Sequence, residues 1–185
     1  MKIGIFCSAN DKIDQKYFEQ TRRLVEWLVS HGHSIVFGGC AMGLMGCVAE
    51  TFSAKAPTGV ELIGIVPRLI EENGHASSYL TRLIPCQNLS DRKDLLLEHS
   101  DLLIALPGGI GTLDEVFTVA AARTIGYHGK KVVLYQVDDF WTPLVDFLNS
   151  LQREGMIRGH WTDYIQVVGL EKLESLLEQS DKVTR

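Results

Sequence analysis

Short runs that are apolar at every position alternate with longer runs carrying a helical stripe, and this alternation is the tightest constraint on the fold. "KIGIF" (2–6), "SIVFGG" (34–39), "ELIGIVP" (61–67), "RLIP" (82–85), "DLLIALP" (101–107), "KVVLY" (131–135) and a stretch near 164–168 read as strands. Helices are expected over 15–32 with Gly32 as the stop, from Gly43 to Ala56, over 91–99, from Thr112 onward, over 142–154, and over 170–178. A strand that is apolar throughout is buried on both faces, which is the condition inside a parallel sheet covered by helices. Strict strand–helix alternation therefore predicts α/β architecture: a single Rossmann-like, doubly wound parallel sheet flanked by helices, one domain over residues 1–185.

Composition narrows the function classes. A formal net charge of −5 at pH 7 argues against a nucleic-acid or anionic-membrane partner, either of which favours a basic excess. The amino-terminal apolar run is too short for a signal peptide, and no stretch reaches the roughly 18 apolar residues of a membrane span. A cytoplasmic chain is expected. Cys7, Cys40, Cys47 and Cys86 form no CxxC pair and read as reduced thiols, Cys7 as a small buried hydrophobe. His31 and His33 flank Gly32 in what reads as a surface turn. The absence of an HExxH run or a Cys/His cluster predicts no metal site.

Doubly wound sheets bind ligands beyond the carboxyl ends of their strands, and three such ends are unusual. They are "CSAN" (7–10), "GGCAMGLMG" (38–46) and "ALPGGIGTLDEV" (105–116). Gly38 and Gly43 have Walker spacing, but Leu44 stands where that motif needs lysine. "GGIGTLD" would need glycine at Asp114 to complete GxGxxG. Phosphate binding by backbone amides at a helix start stays open, and the candidate substrate-binding residues are Gly108, Gly109, Ile110, Gly111 and Thr112 in the third loop with Ser8, Gly39 and Gly43 in the other two. The same third stretch also reads as a capping box, Thr112 with Glu115, with Asp114 as a second acid in the first turn. Both readings use the same residues.

Upstream, a helix starting near Ser90 or Asp91 puts Arg92 and Lys93 in its first turn. Cations are unfavourable there because the helix amino terminus already carries partial positive charge. An anion nearby would account for them, since arginine grips phosphate or carboxylate with two parallel bonds.

"PGGIGTLDE" (107–115) and "RK" (92–93) together resemble the paired signature of the Lonely guy family of cytokinin riboside 5'-monophosphate phosphoribohydrolases, which are often mislabelled lysine decarboxylases. "FCSAN", "VFGGCAMGLMG" and "GIVPRLI" are similar to its other landmarks, in the same order, and the likeness runs from about residue 2 to 158. The resemblance implies hydrolysis of the N-glycosidic bond of a nucleoside 5'-monophosphate (a cytokinin riboside monophosphate or an AMP-like nucleotide) by a homodimer with no cofactor. It implies Arg92 and Glu115 as the catalytic pair and Lys93 beside the substrate, with Gly109, Gly111 and Thr112 on the 5'-phosphate. A fixed carboxylate suits this chemistry because glycosidic cleavage builds oxocarbenium character on the ribose. The chain departs from the family pattern at Leu89-Ser90-Asp91 before "RK", at Cys40 in place of a third glycine, at "CSAN", and at Ala121 and Ala122, where the family often has a threonine–tryptophan pair. Base identity is thereby left open.

Two other functions compete. A non-catalytic carrier of a nucleotide or of a phosphorylated pterin (the molybdenum cofactor) would use the same phosphate site. A lysine decarboxylase would need pyridoxal phosphate on a lysine, and Lys93 is the only candidate near the glycine loops. Glu115→Gln separates capping from catalysis. On the capping-box reading it lowers stability by at most about 1 kcal/mol. On the catalytic reading hydrolysis falls by orders of magnitude, and near wild-type turnover would reduce Glu115 to a cap.

Overall fold

A computed structural model describes residues 1–183 and, except at 69, 70 and 178–183, their side chains. Seven strands are present: β1 (Lys2–Phe6), β2 (Ser34–Phe37), β3 (Leu62–Pro67), β4 (Arg82–Cys86), β5 (Leu102–Ala105), β6 (Val132–Tyr135) and β7 (Ile165–Val168). They form one sheet in the order β4-β3-β2-β1-β5-β6-β7, every neighbouring pair parallel. The helices are α1 (Gln15–Ser30), α2 (Gly43–Lys55), α3 (Arg68–Glu72), α4 (Leu89–Glu98), α5 (Ile110–Thr124), α6 (Thr142–Arg153) and α7 (Leu170–Val183).

The strands' two-residue period splits the apolar side chains between two cores. Ile3, Ile5 and Cys7 point to one face with Leu24 and Leu28 of α1, Val48 and Phe52 of α2, and Leu173 of α7. Phe6, Val36 and Ile63 point to the other with Leu96 of α4, Val116 and Val119 of α5, and Leu148 of α6. Each fully buried Leu, Ile or Phe contributes about 1.5–3 kcal/mol of transfer free energy, and this burial holds helix layers on both faces of the sheet. The four cysteines are free, and three of them are buried. No helix among the described residues is long and apolar enough to cross a membrane.

Several boundaries and one side chain differ from the sequence expectation. Helix α4 begins at Leu89 because Asn88 caps it, its side chain accepting from the amides of Ser90 and Asp91 at 2.9 and 3.0 Å. Helix α5 begins at Ile110, two residues before Thr112, with Gly109 as the N-cap residue. Helix α7 runs to Val183 rather than 178. His33 is buried rather than in a surface turn, its Nδ1 3.4 Å from the amino-terminal nitrogen and its ring tilted against Trp27.

Strand order runs outward in opposite directions from β1 and β5, so their carboxyl ends border the crevice where such folds take ligands. The loop after β1 is tied to α2 at this point. The Leu44 amide donates to the Ser8 carbonyl (2.9 Å) and the Gly43 amide to the Asp11 carboxylate (2.7 Å). Gly43 has φ +58, and a Cβ there would sit 2.5 Å from the Ala9 carbonyl carbon and 2.6 Å from the Asn10 nitrogen. Both neighbours are backbone and cannot yield cheaply. Gly43→Ala is expected to cost about 2 kcal/mol or more, read as a lower urea midpoint with an unchanged slope.

Candidate active site

The site forms where α4 and α5 meet above the carboxyl ends of β1, β2 and β5. Helix α5 has Gly109 at its amino-terminal boundary and no side-chain cap. Its first amides therefore lack intrahelical partners and carry the positive end of the helix dipole. Ile110 is 88% exposed, and Cβ atoms built on Gly109 and Gly111 would meet nothing within 4 Å. An uncapped, accessible helix start of this kind accepts an anion.

The capping box does not form. Thr112 is the third residue inside the helix and Glu115 the sixth, so the two share the buried face, at 3% and 6% exposure. The Thr112 side chain packs on Gly108, where a Cβ would lie 2.1 Å from its hydroxyl oxygen. That hydroxyl is buried and has no hydrogen-bond partner among the described residues.

The premise that Arg92 and Lys93 oppose a helix dipole is also corrected. With Asn88 as the cap they are the fourth and fifth residues of α4, and the Arg92 amide already donates to the Asn88 carbonyl (3.0 Å). Their charges meet carboxylates of α5 instead. Lys93 Nζ contacts both oxygens of Asp114 at 2.8 and 2.9 Å, so its ammonium is engaged within the protein. Arg92 Nη1 lies 3.7 Å from Glu115 Oε1, both side chains largely buried, which is an ion pair but not a hydrogen bond. Arg92 Nε is buried without a hydrogen-bond partner among the described residues.

Electrostatics follow from this loose pairing. Burial pushes the Glu115 carboxyl up to about 7, against the lowering influence of Arg92 and, more weakly, of Lys93; neighbouring Asp114 adds to the rise. The Cys7 thiol below the site is pushed well up, first by burial and then by the Glu115 charge. Cys7 therefore stays a protonated thiol, unsuited to nucleophilic attack.

The other loop residues have their polar groups engaged within the fold. Ser8 Oγ accepts from the Asn10 amide at 3.1 Å. The Gly39 carbonyl accepts from the Ser77 amide at 2.8 Å, and its Cα packs on Val66 and Gly64 of β3. Gly43 gives its amide to Asp11. Ala121 lies outside the site, in an apolar groove of about 400 Å³ between α5 and α6 with Phe117, Leu151 and Met156. Gly38, weighed in the sequence only for its Walker spacing with Gly43, belongs to the site: a Cβ there would overlap the Arg92 guanidinium. Its signal was its place at the end of an apolar strand. Among the described residues no group of three or more His, Cys, Asp or Glu is placed to hold a metal ion.

Comparison with known proteins adds the family to this geometry. Residues 45–179 match the family described as possible lysine decarboxylase. A probable cytokinin riboside 5'-monophosphate phosphoribohydrolase of Oryza sativa subsp. japonica is 30% identical over 187 residues, covering 98% of this chain and 75% of that protein. A cytokinin riboside 5'-monophosphate phosphoribohydrolase of Arabidopsis thaliana is 31% identical over 157 residues, covering 85% and 68%. Among solved structures, the molybdenum cofactor carrier protein of Chlamydomonas reinhardtii superposes with a TM-score of 0.71 at 20% identity, over 96% of each chain. The molybdenum cofactor binding protein of Rippkaea orientalis superposes with a TM-score of 0.70 at 18% identity, over 100% and 97%. At these identities the solved structures establish a shared Rossmann-like fold. The sequence matches go further: this chain belongs to the family of cytokinin riboside 5'-monophosphate phosphoribohydrolases, the family also described as possible lysine decarboxylase.

Proposed function

We propose that this chain, acting as one domain, hydrolyses the N-glycosidic bond of a nucleoside 5'-monophosphate to free base and ribose 5-phosphate. The observation that carries the reading is a buried carboxylate, Glu115, on the same helix face as an unpartnered buried hydroxyl, Thr112, behind an uncapped helix start. The amides of Ile110, Gly111 and Thr112, with the Thr112 hydroxyl, take the 5'-phosphate. The C1'–N bond then breaks, the base leaving with the electron pair and gaining a proton, and water adds to C1'. Glu115 as carboxylate holds the ribose and stabilises the positive charge that develops on it. Arg92 favours the charged form of Glu115 against its burial, and Lys93 with Asp114 fixes α4 against α5 beside the bound nucleotide.

A decarboxylase is disfavoured on chemical grounds. Schiff-base formation with pyridoxal phosphate needs a lysine nitrogen free to reach the cofactor, whereas Lys93 Nζ is tied to both Asp114 oxygens. We place the reaction in the cytoplasm, where free cysteines stay reduced. We propose a homodimer formed through the α5–α6 face, where Phe117, Ile125 and Met156 are 40%, 61% and 73% exposed around the apolar groove.

The deciding experiment incubates the protein with AMP, other nucleoside monophosphates and isopentenyladenosine monophosphate and measures ribose 5-phosphate. Release supports the reading, while tight binding without release leaves only a carrier. Thr112→Val removes an unsatisfied buried hydroxyl, so the free protein is expected to lose no stability and to gain up to about 1 kcal/mol, while KM for the nucleotide rises. The charged form of Glu115 does the work, so kcat/KM should climb as pH rises through about 7 and flatten above it. A profile that falls through the same range would make Glu115 an acid and contradict the assigned role.

A further inference from the structure

We infer that Gly38 is a positioning residue of this site, glycine because the Arg92 guanidinium occupies the space that a side chain at Gly38 would fill. A Cβ at Gly38 would lie 1.9 Å from Arg92 Nη2, 3.0 Å from its Cζ and 3.1 Å from the Met45 sulfur. Gly38 is not among the glycines with positive φ. Backbone conformation therefore does not require glycine here, as it does at Gly39 and Gly43. The atoms in the way are also different in kind. At Gly43 they are backbone; at Gly38 the nearest is the far end of a flexible side chain.

The guanidinium meets two elements through its two terminal nitrogens: Nη2 lies against Gly38, just after β2, and Nη1 lies 3.7 Å from Glu115 Oε1 on α5. Its Nε, lacking a hydrogen-bond partner among the described residues, does not anchor it. Packing on Gly38 therefore sets where the charge sits relative to Glu115. Closing on Glu115 cannot clear an added methyl, because a charged N–H···O contact stops near about 2.8 Å, a gain smaller than the methyl requires. The head has to swing out of the pair. Glu115 would then face Lys93 from α4, Asp114 from its own helix and Cys7 from the loop after β1, having lost the largest of the influences that favour its charged form.

This inference rests on the proposed hydrolysis only for its rate readout, so the test carries a second one. In Gly38→Ala the fold should persist by circular dichroism and thermal melting. The kcat should drop about 100-fold, the scale of a 1 Å misplacement of a working group. KM should stay within about threefold, because the phosphate site on α5 is untouched. The rising limb of the pH–rate profile, and the Glu115 titration followed by carbon NMR of labelled carboxyls, should both move to higher pH. In an Arg92→Lys background, which lacks the forked head, adding Gly38→Ala should change neither rate nor titration. The inference is overturned if Gly38→Ala unfolds the chain, if it retains wild-type rate and titration, or if it causes the same loss in the Arg92→Lys background. A wild-type protein that hydrolyses none of the nucleotides would sink the functional reading alone, and the titration shift would still decide the role of Gly38.

Discussion

A carboxylate removed from water is the constraint around which the site is organised. Glu115 is 6% exposed and its Arg92 partner stands off at 3.7 Å, so neither solvent nor a close ion pair fully compensates its charge. A carboxyl raised from 4.5 to about 7 costs folding free energy on the order of 3 kcal/mol at neutral pH and above. The sign follows from linkage. Between those two values the folded state holds the proton that the unfolded state releases, so stability contributed by the neutral acid is lost as pH rises. A chain selected for stability alone would place leucine or alanine at this position of α5. That the charge is kept, with Arg92 beside it, is the physical basis for treating the position as chemical rather than structural.

The sheet makes this arrangement possible. At the switch between β1 and β5 the flanking helices belong to different layers, so the space above the strand ends is left open. Glycines then let backbone and side chains close in where a Cβ would block them. Gly43 brings the start of α2 against Ser8–Asn10, Gly108 seats Thr112, and Gly38 receives the Arg92 head. The pairs Arg92–Glu115 and Lys93–Asp114 join α4 to α5 and fix the carboxylate relative to the free amides at the start of its own helix. Lys93–Asp114 is half-exposed and contributes modestly to stability; its value lies in register.

Much of this was legible in the sequence because burial writes itself as period. The apolar strands and striped helices predict the doubly wound sheet, and the glycine-rich strand ends mark the crevice. Element starts were harder to read. Thr112-x-x-Glu115 carries a capping signature, yet the helix starts at Ile110 with Gly109 at its cap position, and both residues fall inside it. Asn88 outcompeted Ser90 and Asp91 as the cap of α4, which carried Arg92 and Lys93 past the first turn and removed the dipole argument while leaving them at the site. The closeness of Gly38 to Arg92 spans 54 residues of chain, and no local pattern encodes it. It becomes visible only once the packing of α4 on the sheet is known.

The most direct measurement is the ionisation of Glu115 in the wild-type protein, followed by carbon NMR of the labelled carboxyl across the pH range with Glu115→Gln used to assign the signal. A midpoint near 7 that moves upward in Arg92→Ala is the predicted result. A midpoint near the ordinary 4.5, unchanged when Arg92 is removed, would mean that the carboxylate is neither dry nor paired, and would contradict the account at its base.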